Sequence, residues 1–340
     1  MMKTTALVFT LFTLLIGTIS HASESIGSKL IKNVRIFNGA DPSLSAETDV
    51  LVRANLIQKI GNNLSSEGAV VIDGQGMVLS PGFVDAHTHM SLISSFDLLE
   101  SEYTGVYVGA AAGQMAEDML MRGFTTVRDA GGASIGVQRA IDDGWFPGPR
   151  VFSSGAFLTQ TSGHLDMRNR TNPHINLGGD HSHAQRIGHY TAVDGDDEML
   201  AAARQNFRNG ATQLKLATNG GISATYSPLD IDQFTDAELG AAAQVAESFG
   251  SYFMVHAYYD NAVNRAIDFG ARSIEHGHML TDDVVRRMAK EDVYLVVEAL
   301  MSTSEAPPSF TQDQREKYEL AKAGFSGLIK SAKKHKLKIA

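Results

Sequence analysis

The chain contains no cysteine. Disulfides, thiolate zinc sites and cysteine nucleophiles are therefore excluded, and any metal must be held by His, Asp, Glu or a less usual ligand. No run of like charge is long enough to form a tail. The Gly-x-Ser-x-Gly elbow of many serine hydrolases and the Gly-x-Gly-x-x-Gly fingerprint of dinucleotide enzymes are both missing. Basic residues are outnumbered, 29 Lys and Arg against 38 Asp and Glu, for a formal net charge of −9. A nucleic-acid binder needs a basic face to neutralise phosphates, so no nucleic-acid partner is expected.

What is present describes an ordinary globular protein. The 340 residues are 43% hydrophobic and 20% charged, enough for one large domain or two smaller ones. Residues 1–22 read as an export signal. Lys3 gives a positive start, Ala6 to Ile19 is mostly apolar, and Ser20-His21-Ala22 offers small residues at the positions a signal peptidase reads. The alternative is an uncleaved anchor, although the run is short for a membrane span. No other stretch approaches membrane length. The expectation is a periplasmic or secreted protein with no membrane contact after cleavage.

Residues 23–80 read as a small β layer. Strands are expected at Leu30–Ile36, Asp49–Ala54, Leu56–Ile60 and Val70–Ile72, with Asn55 at a tight turn. From residue 81 to residue 340 short apolar runs alternate with amphipathic segments. The runs begin at Phe83, Thr125, Val151, Gln213, Tyr252, Arg272, Val293 and Lys336. Helices are expected at Gly109–Arg122, Glu198–Asn209, Asp236–Phe249, Ala262–Phe269 and Thr281–Lys290. Gly123, Gly210, Gly250 and Gly270 are placed to end four of them. Repeated strand–helix units imply a parallel sheet, and about eight of them imply an α/β fold of the (β/α)8, TIM-like barrel type, with chemistry at the carboxyl ends of the strands.

That rule makes a few residues informative. His87 and His89 close the first run, and residues i and i+2 of a strand face the same side, so both imidazoles can share one metal ion. Alone, such a pair is equally well read as two polar residues at a strand end. Lys215 lies inside an apolar run, where an unpaired ammonium is costly; snorkelling to the surface is the alternative. His256 and His276 end the next two runs. Four histidines and a lysine on four strands point to a metal site. His174, His181, His183 and His189 fall in a long loop between the third and fourth runs, with no strand to position them. His278 reads as a loop neighbour of His276, and His335 as part of a basic helix end.

The motifs resemble those of the amidohydrolase superfamily. Phe83-Val84-Asp85-Ala86-His87-Thr88-His89 is similar to its metal signature, and Gly123-Phe124-Thr125-Thr126-Val127-Arg128-Asp129 to its second strand. Leu214-Lys215-Leu216-Ala217-Thr218-Asn219-Gly220-Gly221 and Gly163-His164-Leu165-Asp166 resemble segments of the imidazolonepropionase-like branch that includes Xaa-Pro dipeptidases. The resemblance implies a small β-sandwich ahead of the barrel and two divalent ions, zinc above all. It places His87 and His89 on one ion, His256 and His276 on the other, and Lys215, carboxylated by CO2, as the bridge. His164 is implied as the catalytic contact to substrate. The implied activity is hydrolysis of a C–N bond in a small amide, such as a dipeptide or an N-acyl amino acid. The alternative electrophiles are lactones and phosphoesters. A homo-oligomer is left open.

The pattern departs from the family in two places. An Asp that binds metal and moves a proton should follow the eighth strand, but the chain reads Lys336-Leu337-Lys338-Ile339-Ala340 and ends. The expectation is a barrel incomplete at strand 8 and a fragment, unstable and nearly inactive as written, since a lost general acid or base costs about 10²–10⁴ in rate. A non-catalytic remnant is the alternative. Phe234 also stands where dipeptidase relatives carry Tyr, with Tyr226 as a substitute anchor for a substrate carboxylate.

Overall fold

Leu30 and Val34 turn inward from a run of alternating exposure and make the long central strand β1 (Ser28–Ile36). In this computed structural model, which describes residues 27–340, β1 pairs antiparallel with β2 (Thr48–Arg53), and β2 pairs antiparallel with β3 (Leu56–Gly61). On its other side β1 runs parallel to β4 (Ala69–Asp73) and β5 (Val78–Leu79). Ala54, at φ 51°, rather than Asn55, takes the left-handed position of the β2–β3 turn. Leu30, Val34, Val50 and Leu51 are buried, whereas Leu56, Ile57, Ile60, Val70, Val71 and Ile72 are exposed. Among the described residues this one sheet is what stands where a sandwich is expected. The expected export signal lies outside the described residues.

The chain divides into two compact units, and the second runs from Gly82 to Ala340. Its strands are β6 (Phe83–Thr88), β7 (Phe124–Asp129), β8 (Arg150–Ser153), β9 (Phe157–Thr159), β10 (Tyr190–Ala192), β11 (Leu214–Ala217), β12 (Phe253–Ala257), β13 (Ser273–His276) and β14 (Tyr294–Val296). Its helices are α1 (Phe96–Ser101), α2 (Gly105–Met121), α3 (Ile135–Asp142), α4 (His183–Arg186), α5 (Asp196–Asn209), α6 (Asp236–Ser248), α7 (Asp260–Asp268), α8 (Asp282–Lys290) and α9 (Gln312–His335). All strand pairs here are parallel, in the orders β6-β7-β8 and β10-β9-β11-β12-β13-β14. The Thr212 N–H donates to Ser153 O at 2.8 Å between the two sheets. Among the described residues no helix is long and apolar enough to cross a membrane.

Local chemistry explains the helix ends. Thr235 caps α6 by accepting from the Glu238 N–H while the Glu238 carboxylate accepts from the Thr235 N–H. Gly210, at φ 114°, closes α5 where a side chain would be strained. The helices bury Met199, Leu239, Val245, Val285 and Leu328 against Leu158, Leu216, Val255, Ile274 and Leu295 of the strands. Full burial of such a side chain is worth about 1.5–3 kcal/mol. Leucine and valine runs buried on both sides are what a parallel sheet covered by helices requires.

The last run behaves differently from its neighbours. Helix α9 continues to His335 and is capped by Lys336 at φ 55°. The residues that remain make one parallel bridge, Ile339 to Leu295, with the Ala340 N–H donating to Leu295 O at 2.9 Å. In the β9–β10 region, the expected structureless loop contains the strand β10, the helix α4 and a 3₁₀ turn at Ile175–Leu177.

Candidate active site at the carboxyl ends of the strands

Strand β6 ends in His87-Thr88, with His89 just beyond it, β12 in His256-Ala257 and β13 in His276. Lys215 sits on β11 between Leu214 and Leu216, and all three are fully buried. Parallel strands bring these ends to one rim. His87, His89, His164, Lys215, His256 and His276 all line a single cavity of about 470 Å³. The wall also contains Phe96, Phe157, Met167, Ile222, Met301 and Phe310, so the polar groups sit at the floor of an apolar pocket.

Each strand-end imidazole has one ring nitrogen committed to an acceptor. His89 Nδ1 lies 2.8 Å from Gly131 O, and His256 Nε2 lies 2.9 Å from Gly220 O. His87 Nδ1 lies 2.7 Å from Glu275 Oε2, and His276 Nδ1 lies 2.8 Å from Glu298 Oε2. A carbonyl or carboxylate oxygen can only accept, so the neutral ring must donate from that nitrogen and carry a lone pair on the other. The consequence is acute at His87 and His89, whose Nε2 atoms lie 3.3 Å apart. Both carry lone pairs, so neither can donate to the other. Two zinc-bound nitrogens at 2.0–2.1 Å from a common ion lie about 3.4 Å apart.

Burial keeps His87, His89, His164 and His256 neutral. It lowers His89 to about 3, with His87 the next cause, and it holds His164 and His256 well below the ordinary imidazole value. His87 is lowered by burial and by Lys215, against the pull of Glu275. Burial lowers Lys215 to about 8, opposed by Glu275. The Lys215 Nζ is buried and has no hydrogen-bond partner, and the same holds for His164 Nδ1. A buried ammonium without a partner is the costliest arrangement a lysine can take.

His164 stacks on His256 with ring centroids 3.9 Å apart. Gly221 allows this, because a Cβ there would overlap the His164 ring. Asp166 of the same motif turns away and pairs with Arg168 at 2.7 Å. His276 holds φ 78°, a left-handed conformation that costs a non-glycine residue of order 1–3 kcal/mol. The following Gly277 N–H donates to Ala257 O at 2.9 Å and ties that turn to β12.

Several functional groups escape a reading of the sequence. Glu275 is fully buried, accepts from Arg128 Nη2 at 2.7 and 2.8 Å, and faces His87. Its carboxyl is held near 2: burial pushes upward, but Lys215 and the His87 hydrogen bond outweigh it. Glu298 lies two residues beyond β14 at the cavity wall, at the same strand-end position that marks the histidines. Among the described residues, His87, His276 and Glu298 offer three ligand atoms within 4.8 Å of one another. Asp129 ends β7, accepts from the Met90 and Gly131 N–H groups, and is pushed up to about 6 by burial.

The loop histidines divide. His189 lines the cavity from the position just before β10, where its carbonyl accepts from the Phe157 N–H at 3.0 Å. His183 Nε2 is 2.7 Å from Tyr103 O at the head of α4. His278 is buried with both ring nitrogens unpaired, behind Tyr258 and Phe325. Phe234 belongs to the hydrophobic core and Tyr226 lies under Arg170, 4.8 Å from its Cζ; neither lines the cavity.

Residues 78–335 match the family model described as "Amidohydrolase family". An ochratoxinase of Aspergillus niger is 29% identical over 230 residues, which is 64% of this chain and 47% of that protein. The chain thus spans about half the length of that curated relative. A prolidase crystallised with N-methylphosphonate-L-proline superposes with a TM-score of 0.83 at 25% identity, covering 92% of this chain and 77% of that one. A Xaa-Pro dipeptidase with bound methionine gives 0.80 at 25% identity, covering 92% and 78%.

Proposed function

This chain belongs to the amidohydrolase family, and from that premise we propose that it hydrolyses the C–N bond of a small amide, with dipeptides and N-acyl amino acids as the substrate class. The observation that carries the reading is the 3.3 Å approach of His87 Nε2 to His89 Nε2, two lone pairs with no proton between them. A cation between them removes the conflict, and neutral imidazoles with oxygen donors suit zinc. We propose a (β/α)8 arrangement with His87 and His89 on one divalent ion and His256 and His276 on a second.

Lys215 fits as the bridge. Its amine has no partner and is held near 8, so more of it is free base at neutral pH than in an ordinary lysine. Attack of that amine on CO2 forms an N–C bond, releases one proton and leaves a carbamate anion in place of a buried cation. When bound, divalent ions supply a hydroxide near neutral pH and polarise the substrate carbonyl. The residues do the rest. Glu275 and Gly131 O fix the ring orientations of His87 and His89. His164, which lines the cavity and stacks on His256, is placed to contact the substrate oxygen that gains charge as the carbonyl is attacked. Phe96, Met167 and Phe310 give the pocket an apolar wall. Action outside the cytoplasm is a further proposal that rests on residues 1–22.

The test is metal analysis of the purified protein together with a panel of dipeptides and N-acyl amino acids. About two equivalents of zinc and metal-dependent release of an amino acid are the expected results. A protein that takes up no divalent ion at neutral pH refutes the reading.

A further inference from the structure

We propose that Glu298 is a positioning residue that selects the tautomer of His276. Glu298 Oε2 lies 2.8 Å from His276 Nδ1, and a carboxylate at that distance accepts the ring proton and nothing else. The proton is thereby drawn to Nδ1, and the lone pair is left on Nε2. A free imidazole prefers the opposite arrangement, so the preference must be imposed by a neighbour. Glu275 stands in the same relation to His87, with Oε2 2.7 Å from Nδ1. The two strand-end histidines therefore carry matched carboxylates, one from β13 and one from the turn after β14.

Two further observations tie Glu298 to this task. Its Oε1 is buried without a hydrogen-bond partner and lies 3.7 Å from His87 Nδ1, so the carboxylate stands between the two rings although the side chain as a whole is 32% exposed. The histidine it serves holds a left-handed backbone, φ 78°. A ring that starts from a strained backbone needs an external hold to keep its direction, and β13 offers no other acceptor to His276 Nδ1 among the described contacts. Carboxylate–histidine pairs of this kind orient metal ligands generally, and removing the outer partner typically costs about 10–100-fold in metal affinity.

The inference rests on the proposed reading of His276 as a metal ligand, but its first readout does not need metal. Ring-15N-labelled, metal-free protein is examined by long-range proton–nitrogen correlation, with His276→Gln used to assign the signal. The parent is expected to show His276 protonated on Nδ1. Glu298→Ala is expected to return it to the Nε2-protonated form, and Glu298→Gln, whose amide oxygen still accepts, to keep the parent tautomer. Zinc affinity measured by chelator competition should fall about 10–100-fold in Glu298→Ala and stay near the parent value in Glu298→Gln. An Nε2-protonated His276 in the parent overturns the proposal without recourse to a variant, as does an unchanged tautomer in Glu298→Ala. So does anomalous diffraction of zinc-loaded parent crystals that puts Glu298 in direct contact with the ion. A parent that binds no zinc but shows the expected tautomers leaves this inference standing and removes the metal-centre reading instead.

Discussion

The two ends of the same parallel strands carry very different cavities. At the amino ends lies the larger one, about 1170 Å³, walled by Val84, Phe152, Phe207, Phe249, Tyr252 and Tyr294, with Arg128 and Arg272. At the carboxyl ends the cavity is only about 470 Å³. Volume would favour the first as the site of chemistry, and hydrogen bonding favours the second. Arg128 at the amino end is fully engaged, with Ala86 O at 2.6 Å, Ser273 Oγ at 3.1 Å and Glu275. At the carboxyl end Lys215 Nζ, His164 Nδ1, His189 Nε2 and Glu298 Oε1 are buried and unpaired. A folded chain leaves polar atoms unpaired only at a cost. Their concentration at one end says where a ligand completes the structure. The two ends are joined by one relay, Arg128 to Glu275 to His87.

The sharpest way to break this contrast is at Lys215. Lys215→Ala should lower bound zinc and cut turnover by roughly 10³-fold. Unchanged metal content in that variant removes the bridging role. Next in size is Glu275→Ala, which removes the acceptor shared by Arg128 and His87 and so severs the relay between the two cavities. It leaves the Arg128 guanidinium without its counter-charge, a loss of about 3–5 kcal/mol for a buried pair, and should weaken zinc binding about 10–100-fold. Melting and chelator competition read the two effects, and a variant as stable as the parent would show that the pair is not coupled.

His164→Asn separates chemistry from metal binding. Turnover should fall about 10²-fold with bound zinc unchanged; a parallel loss of zinc would make His164 part of the metal shell. The remaining effect concerns pH. Burial lowers His189 to about 4 in the folded protein, against an ordinary 6.5. Above pH 6.5 the ring is neutral in folded and unfolded states, and its contribution is complete. As pH falls from 6.5 towards 4 the unfolded chain takes up the proton first, and stability is lost, by up to roughly 3 kcal/mol. His189→Gln should flatten that part of the stability profile, and an unaltered slope would show that the ring titrates freely.

Much of the site was legible before folding, for particular reasons. Strand period two put His87 and His89 on one side. An ammonium flanked by Leu214 and Leu216 was conspicuous because burial of charge is rare. Strand ends marked His256 and His276. Glu275 was not legible, because its meaning depends on Arg128, 147 residues away. His189 was missed because the short strand β10 is held by β9 and not by a periodic pattern of its own.

The amino-acid sequence by itself determined most of the alternation of strands and helices from Phe83 to Val296, since hydrophobic period and capping residues act over a few positions and need no distant partner. It also narrowed which side chains could hold a cation, because cysteine is absent and the histidines recur at strand ends. Only the tertiary structure decided which nitrogen of each imidazole is left free, because that depends on an acceptor from another strand. The same is true of which carboxylates stand behind the rings and which of two cavities holds unpaired polar atoms. Proton positions and burial are set by contacts between residues far apart in the chain, and a local pattern carries no record of them.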